Sequence, residues 1–276
     1  MAISVQTNQA ALVALQNLNK TNNDLQQTQG RISTGLAIGS AKDNASVWAI
    51  AQAQRADVQA LSAVQQSLDR ASSIADVAQT AGQSVSDLLN QIKQKVVAAQ
   101  DPSLDPTSRA AINDNFVSLL HQITDVVNNA QFDGANLLDG SLASDISFLA
   151  NANATSFITL SVQNMSLGGS LISIASTDTI ATLAGASTVL TEVNNSIAAV
   201  NSALGNIGSQ ASQIENHNTF VSKLSDTLTG GISHLVDADM AKESARLQAL
   251  QVQQQLGVQA LSIANSAPQI ILSLFK

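Results

Sequence analysis

Three histidines, His121, His217 and His234, are the side chains best suited to metal or acid–base chemistry in this 276-residue sequence. No two of them stand three or four residues apart, the spacing at which a helix turns two ligands toward one ion, so each reads as a surface or seam residue. Asp237 and Asp239 form a close acidic pair, but carboxylates in a first helical turn ordinarily offset the positive end of the helix dipole. Gly35, Gly39, Ser40 and Lys42 have a loose likeness to a phosphate-cradling loop. The lysine does not follow the second glycine, however, and no apolar strand leads in, so the segment reads as a turn. Cysteine is absent, which removes thiolate nucleophiles, thiolate zinc sites and disulfides. The G-x-S-x-G, H-E-x-x-H and G-x-G-x-x-G patterns do not occur. The expectation is a non-enzyme with no catalytic, cofactor or metal residues.

Charge narrows the partners. With 12 Lys and Arg against 20 Asp and Glu, the net charge is −8, and no basic patch is present to neutralise phosphates, which argues against nucleic acid. Only 12% of residues are charged, about half the usual share. Such a surface is either poorly soluble or covered by other chains. Leu247 to Phe275 carries no charge, which invites a membrane-span reading, but Gln248, Gln251, Gln253, Gln254, Gln255, Gln259, Asn265 and Pro268 make it too polar. No membrane insertion is expected. The first residues lack a basic start, apolar core and cleavage site, so export would need another route than the conventional secretory one.

With no chemistry to position, the elements themselves carry the reading. From about Asn44 to Ala99 apolar residues fall on three- and four-residue steps through Val47, Ile50, Val58, Leu61, Val64, Leu68, Ile74, Val85, Leu88, Ile92 and Val96, which predicts one very long helix. A partner stripe returns from about Thr179 at Leu183, Ala186, Leu190, Val193, Ile197, Val200, Leu204, Ile207 and Ile214, with the coiled-coil period, and Gly230-Gly231 punctuates it. Between them, Asp105 and Pro106 restart a helix after the DPSLDP stop. QFDGANLLDG (131–140) is turn chemistry. Ile158, Leu160 and Val162 alternate with polar residues, and LISIAS follows Gly168-Gly169, so short strands in one or two hairpins are expected. The two chain ends, about Ile3 to Ile32 and Asp237 to Lys276, are amphipathic helices rich in Asn and Gln. Each stripe is too small to order alone, and the two look made for each other. The fold class is mainly α: a long antiparallel bundle or coiled coil with a small β-hairpin region and paired terminal helices.

At this point the sequence resembles bacterial flagellin. ALQNLNKTNNDLQQTQGRISTGLAIGSAKDNA is similar to the family's N-terminal helix, glycine joint and S-A-K-D-[DN]-A element (Ser40 to Ala45). VVNNAQFDGANLL is similar to its N-x-T-Q-F-N-G-x-x-L-L turn, and the C-terminus resembles its A-N-x-x-P-Q-x-x-L-S-L-[LF]-[RK] ending. The resemblance implies a subunit that polymerises with itself, and with other flagellins, into the filament of the bacterial flagellum for swimming. Residues 1–42 and 233–276 would form an inner coiled-coil domain, and residues 43–232 a helical bundle with a β-rich insertion at about 140–178. The family's large outer domains would be missing, leaving a thin, smooth filament. Assembly would be carried by Leu12, Leu15, Leu18, Leu25, Leu247, Leu250, Leu256, Leu261, Ile263, Ile271, Leu274 and Phe275. Further implied partners are the cap protein, the hook-filament junction protein, an export chaperone and the flagellar secretion system, with an extracellular location. Members recognised by the animal innate receptor carry Arg, Glu and Leu where this chain has Gln91, Gln94 and Lys95, which implies weak activation. Two alternatives are a flagellin-like hook-filament junction protein and a chemoreceptor-type signalling coiled coil. The latter would need a membrane span or a charged hairpin tip.

Overall fold

Helix α1 (Gln9–Thr34) starts at Asn8, whose Oδ1 accepts the Ala11 amide at 3.1 Å, and stops at Gly35, left-handed at φ 72°. The computed structural model describes residues 7–274, with side-chain environments as far as residue 266. The expected start near Ile3 lies outside the described residues. Gly35 supplies the positive φ that ends a helix without steric cost, and its amide returns to the Arg31 carbonyl. Helix α2 (Ala45–Ala99) then runs unbroken for 55 residues, about 80 Å at the rise of an α-helix. Asn44 caps it by accepting the Val47 amide at 3.2 Å.

Asp105 caps α3 (Pro106–Asn129) through the amides of Thr107 and Ser108, with proline at the first turn where no amide is needed. Phe116, Leu119, Leu120, Ile123 and Val127 are its buried row. Strands β1 (Gln131–Phe132) and β2 (Ala135–Asn136) close a tight hairpin through Asp133 and Gly134, both at positive φ, as the turn chemistry requires. β3 (Ile146–Leu149) pairs antiparallel with β4 (Phe157–Leu160), with Ile146 opposite Leu160 and Phe148 opposite Ile158. Helix α4 (Leu183–Val236) and helix α5 (Met240–Leu274) complete the chain.

The chain divides into two compact units, residues 1–56 with 227–276 and residues 57–226. Both divisions fall inside long helices, whereas the resemblance implies joints at about 42/43 and 232/233. In the second unit α2 and α4 run antiparallel: Asn218 Nδ2 donates to Asp69 at 2.6 Å, Ser86 Oγ to Asn201 at 3.2 Å, and Gln100 Nε2 to the Ala186 carbonyl at 3.3 Å. The β3–β4 hairpin lies on this pair. The Leu149 amide donates to Ser67 Oγ, the Ser161 amide to Gln210 Oε1, and Phe148, Ile158 and Leu160 are buried.

Four expectations change. LISIAS forms no strand: the Ser173 amide is taken by Ser196 Oγ and the Ala175 amide by Asp178, which leaves an isolated bridge between Ile172 and Leu167, although Ile172 and Ile174 are buried. The second long helix begins at Leu183 rather than near Thr179, because Asn113 Oδ1 holds the Thr179 hydroxyl and the Ile180 amide outside it. Gly230 and Gly231 interrupt nothing, since a glycine costs a helix only about 1 kcal/mol and α4 continues to Val236. Ile50 faces water while Ala51 is buried. Ala51 stands seven residues before Val58 and so on its side of the helix.

Candidate functional site

The chain ends, rich in Asn and Gln, pair with each other. Helices α1 and α5 lie antiparallel in a single register. Asn8 Nδ2 donates to the Ala264 carbonyl at 2.7 Å, Gln254 Nε2 donates to Asn22 Oδ1 at 2.8 Å, and Arg31 Nη1 meets Glu243 Oε1 at 3.1 Å. Between these polar contacts the faces are small and apolar. A Cβ placed on Gly257 would stand 3.2 Å from Leu18 Cδ1 and 3.8 Å from Leu18 Cβ, so the absence of a side chain there lets the two backbones approach. Leu25 and Leu250 are buried, and Leu18, Leu247, Leu261 and Ala264 are half-buried. On α5 the covered positions Glu243, Leu247, Leu250, Gln254, Gly257, Leu261 and Ala264 step by four and three, which is the seam of a coiled coil.

A joint holds one end of the pair. The amides of Ala37 and Ile38 donate to the Val236 carbonyl at 2.7 and 3.2 Å, and the Ala238 amide donates to the Gly35 carbonyl at 2.8 Å. Asp239 caps α5 through the Ala241 and Lys242 amides. Within the glycine joint, the Asp43 carboxylate accepts the Ser40 hydroxyl and the Ser40 and Gly39 amides. These bonds, the Ser40 hydroxyl first, hold its pKa below the ordinary aspartate value. The amides that a phosphate would need are therefore already taken by a carboxylate.

The twelve residues expected to carry assembly fall into three groups. Leu18, Leu25, Leu247, Leu250 and Leu261 form the seam between the two helices. Leu12 and Leu15 on α1 and Leu256 and Ile263 on α5 point away from it, with 53%, 42%, 64% and 62% of their surface open. Val13, Val252 and Val258 are likewise exposed. Ile271, Leu274 and Phe275 lie outside the described side chains. Each terminal helix thus has two apolar sides, one consumed inside the chain and one left over. The heptad row alone does not separate them, because Leu12 and Leu15 lie next to the seam in sequence. Sequence reasoning also missed Gly257, whose only signal is a glycine in mid-helix, and the Asn8, Asn22 and Gln254 contacts.

One of the three histidines makes a structural contact. His217 Nε2 donates to the Ala150 carbonyl at 2.7 Å in the tautomer protonated there, and its ring lies 5.8 Å from that of Phe220. His121 and His234 are exposed. Among the described residues no group of three His, Cys, Asp or Glu is placed to hold a metal ion, and no helix is long and apolar enough to cross a membrane.

Comparison with known proteins agrees with this architecture. The family model for the bacterial flagellin N-terminal helical region matches residues 5–143, and that for the C-terminal helical region matches residues 190–275. Flagellin FljJ of Caulobacter vibrioides is 55% identical, with 100% of this chain and 99% of that one covered. Flagellin FljM of the same organism is 45% identical over 99% and 98%, and a Brucella melitensis flagellin 40% over 99% of each. The crystal structure of Bacillus cereus flagellin shares the fold at a TM-score of 0.50 and 19% identity, covering 56% of this chain and 88% of that one. Full-length likeness to chains of similar size makes this a short form of the family. The chain belongs to the bacterial flagellins, the structural subunits that polymerise into the extracellular filament of the flagellum.

Proposed function

We propose that the outward apolar rows of α1 and α5 are the polymerisation surface, and that the ends order fully only when neighbouring subunits cover them. The observation that carries this reading is the exposure of Leu12, Leu15, Leu256 and Ile263 on helices whose other side is already buried. Open apolar rows of that size cost free energy in water, and covering them offsets the ordering entropy of long helices with few ion pairs. Contact between unlike surfaces, repeated head to tail, grows an open helical array. Amides suit such a lattice because Asn and Gln donate and accept in many packings, whereas a buried unpaired charge would be expensive.

The paired ends would line the filament's inner wall and the remaining bundle would surround them. With the segment between α3 and α4 reduced to two short hairpins and loops, the resulting filament would be thin and smooth. The cap protein, the junction protein, an export chaperone and the flagellar secretion apparatus are the further partners that this role requires.

The test is circular dichroism and sedimentation of the full chain beside one lacking residues 1–42 and 233–276, followed by electron microscopy after seeding. Long filaments with a gain in helix from the full chain, and none from the shortened one, support the reading. A full chain that stops at short segments or rings would instead favour the hook-filament junction role.

A further inference from the structure

Among the described residues, Arg31 and Glu243 make the ion pair between two helices that are otherwise joined by apolar and amide groups, and their chemistry is costly where it stands. Glu243 is 7% exposed. Arg31 Nη1 meets its Oε1 at 3.1 Å, but Arg31 Nε and Glu243 Oε2 are both buried without a hydrogen-bond partner. With Glu243 buried and the Arg31 side chain 25% exposed, a pair that leaves one donor and one acceptor unmet gains little net stability over apolar residues of the same shape. Its effect on mispairing is large, because separating the partners strands a charge in an apolar seam.

Mispairing is a real hazard in this seam. Ala11, Leu18, Leu25 and Ile32 repeat at seven residues on α1, while Leu247, Leu250, Leu261 and Ala264 repeat on α5 with the coiled-coil period. Sliding one helix by a heptad, about 10 Å at the rise of an α-helix, again sets apolar residues against apolar residues. It also sets Glu243 level with Leu25 in one direction, or Arg31 level with Leu250 in the other. We propose that Arg31 and Glu243 are positioning residues that fix the register of the terminal helix pair, and with it the offset between the outward rows of α1 and α5.

The absence of cysteine makes register directly readable by paired cysteine substitutions in the full chain. Leu18→Cys with Gly257→Cys reports the native register, since the Cβ positions lie 3.8 Å apart, within the disulfide range. Leu18→Cys with Leu250→Cys reports a one-heptad slip. The readout is the ratio of the two cross-linking rates in the dissolved subunit, where transient pairing of the ends suffices because the ratio and not the size of the rates reports register; it needs no filament and so is independent of the polymerisation surface proposed above. In the native background the first pair should cross-link at least tenfold faster. With Arg31→Leu and Glu243→Leu together the preference should fall to threefold or less at unchanged overall helicity. The charge-swapped chain, Arg31→Glu with Glu243→Arg, should recover it, while Glu243→Arg alone should not. A preference retained in the leucine variant, or lost in the charge-swapped one, would overturn the assignment and leave register to the Gly35–Ala238 joint.

Discussion

Replacing Leu256 by alanine should weaken the filament far more than the subunit. Leu256 keeps 64% of its surface open, and full burial of a leucine side chain is worth about 1.5–3 kcal/mol. Covering the remaining two-thirds in a lattice is therefore worth about 1–2 kcal/mol for each added subunit. At about 1.4 kcal/mol per tenfold, the critical concentration for seeded growth should rise about 5- to 30-fold. Thermal unfolding of the dissolved chain should move little, as expected for a surface substitution away from caps and the core. Ile263→Ala, seven residues along the same helix and 62% exposed, should act by a similar factor, and the double variant by roughly the product, since separated sites add. The assay is the concentration of unpelleted protein at equilibrium with seeds, measured over a dilution series. A critical concentration within twofold of the parent for both single variants would refute the reasoning, because the exposed rows would then contribute nothing to assembly.

Elsewhere in the chain, Gly82→Ala should change the urea stability of residues 57–226 by less than about 1 kcal/mol, because the added Cβ meets only the end of the half-buried Leu204 side chain, at 2.7 Å, and the helix propensity gained over glycine, about 1 kcal/mol, offsets the shift that leucine must make. Asp105→Ala removes the cap on α3 and should cost about 1 kcal/mol in the same measurement. Burial, and then the Asp178 carboxylate, raise the Glu192 pKa. An acid with a raised folded pKa is favoured when protonated, so its penalty is absent below the ordinary glutamate value and grows as pH climbs through the folded one. Glu192→Gln should therefore raise the melting temperature at pH 7 and lose that advantage on acidification; an advantage that grew at low pH would contradict this. Gln91 and Gln94 are exposed and Lys95 half-buried on α2, and purified monomer should give only a weak response in a cell reporter for the animal flagellin receptor.

Periodicity made the long elements legible. The three- and four-residue steps of α2 and α4 depend only on one helix face being buried against another, and both helices formed and paired where those steps ran. The restart of α3 was equally plain, because Asp105 and Pro106 act on their own first turn and need no tertiary information. Where a local signal met a tertiary competitor, the competitor won. Gly230 and Gly231 carry a breaker's preference worth about 1 kcal/mol each, less than continuation of a long packed helix returns. LISIAS has a strand's alternation, yet Ser196 and Asp178 reach its amides first.

The paired ends show the same boundary. That α1 and α5 meet followed from two apolar stripes, on helices rich in Asn and Gln, with no other partner in the chain. Which leucines they would consume did not, since Leu12, Leu15 and Leu18 lie within two turns and differ only by rotation about the axis. Gly257 and the polar contacts of Asn8, Asn22 and Gln254 fixed that rotation. A glycine inside a helix, or an asparagine among many, carries no mark of its role until a partner is opposite it.

The central claim is that the outward rows of the terminal helices are the surface by which one subunit holds the next. The most direct measurement is a helical reconstruction of seeded filaments by electron cryo-microscopy at side-chain resolution. The account predicts Leu12, Leu15, Leu256 and Ile263 buried between subunits, with the α1–α5 register of the single chain retained. Those four side chains left facing water in the filament would contradict it.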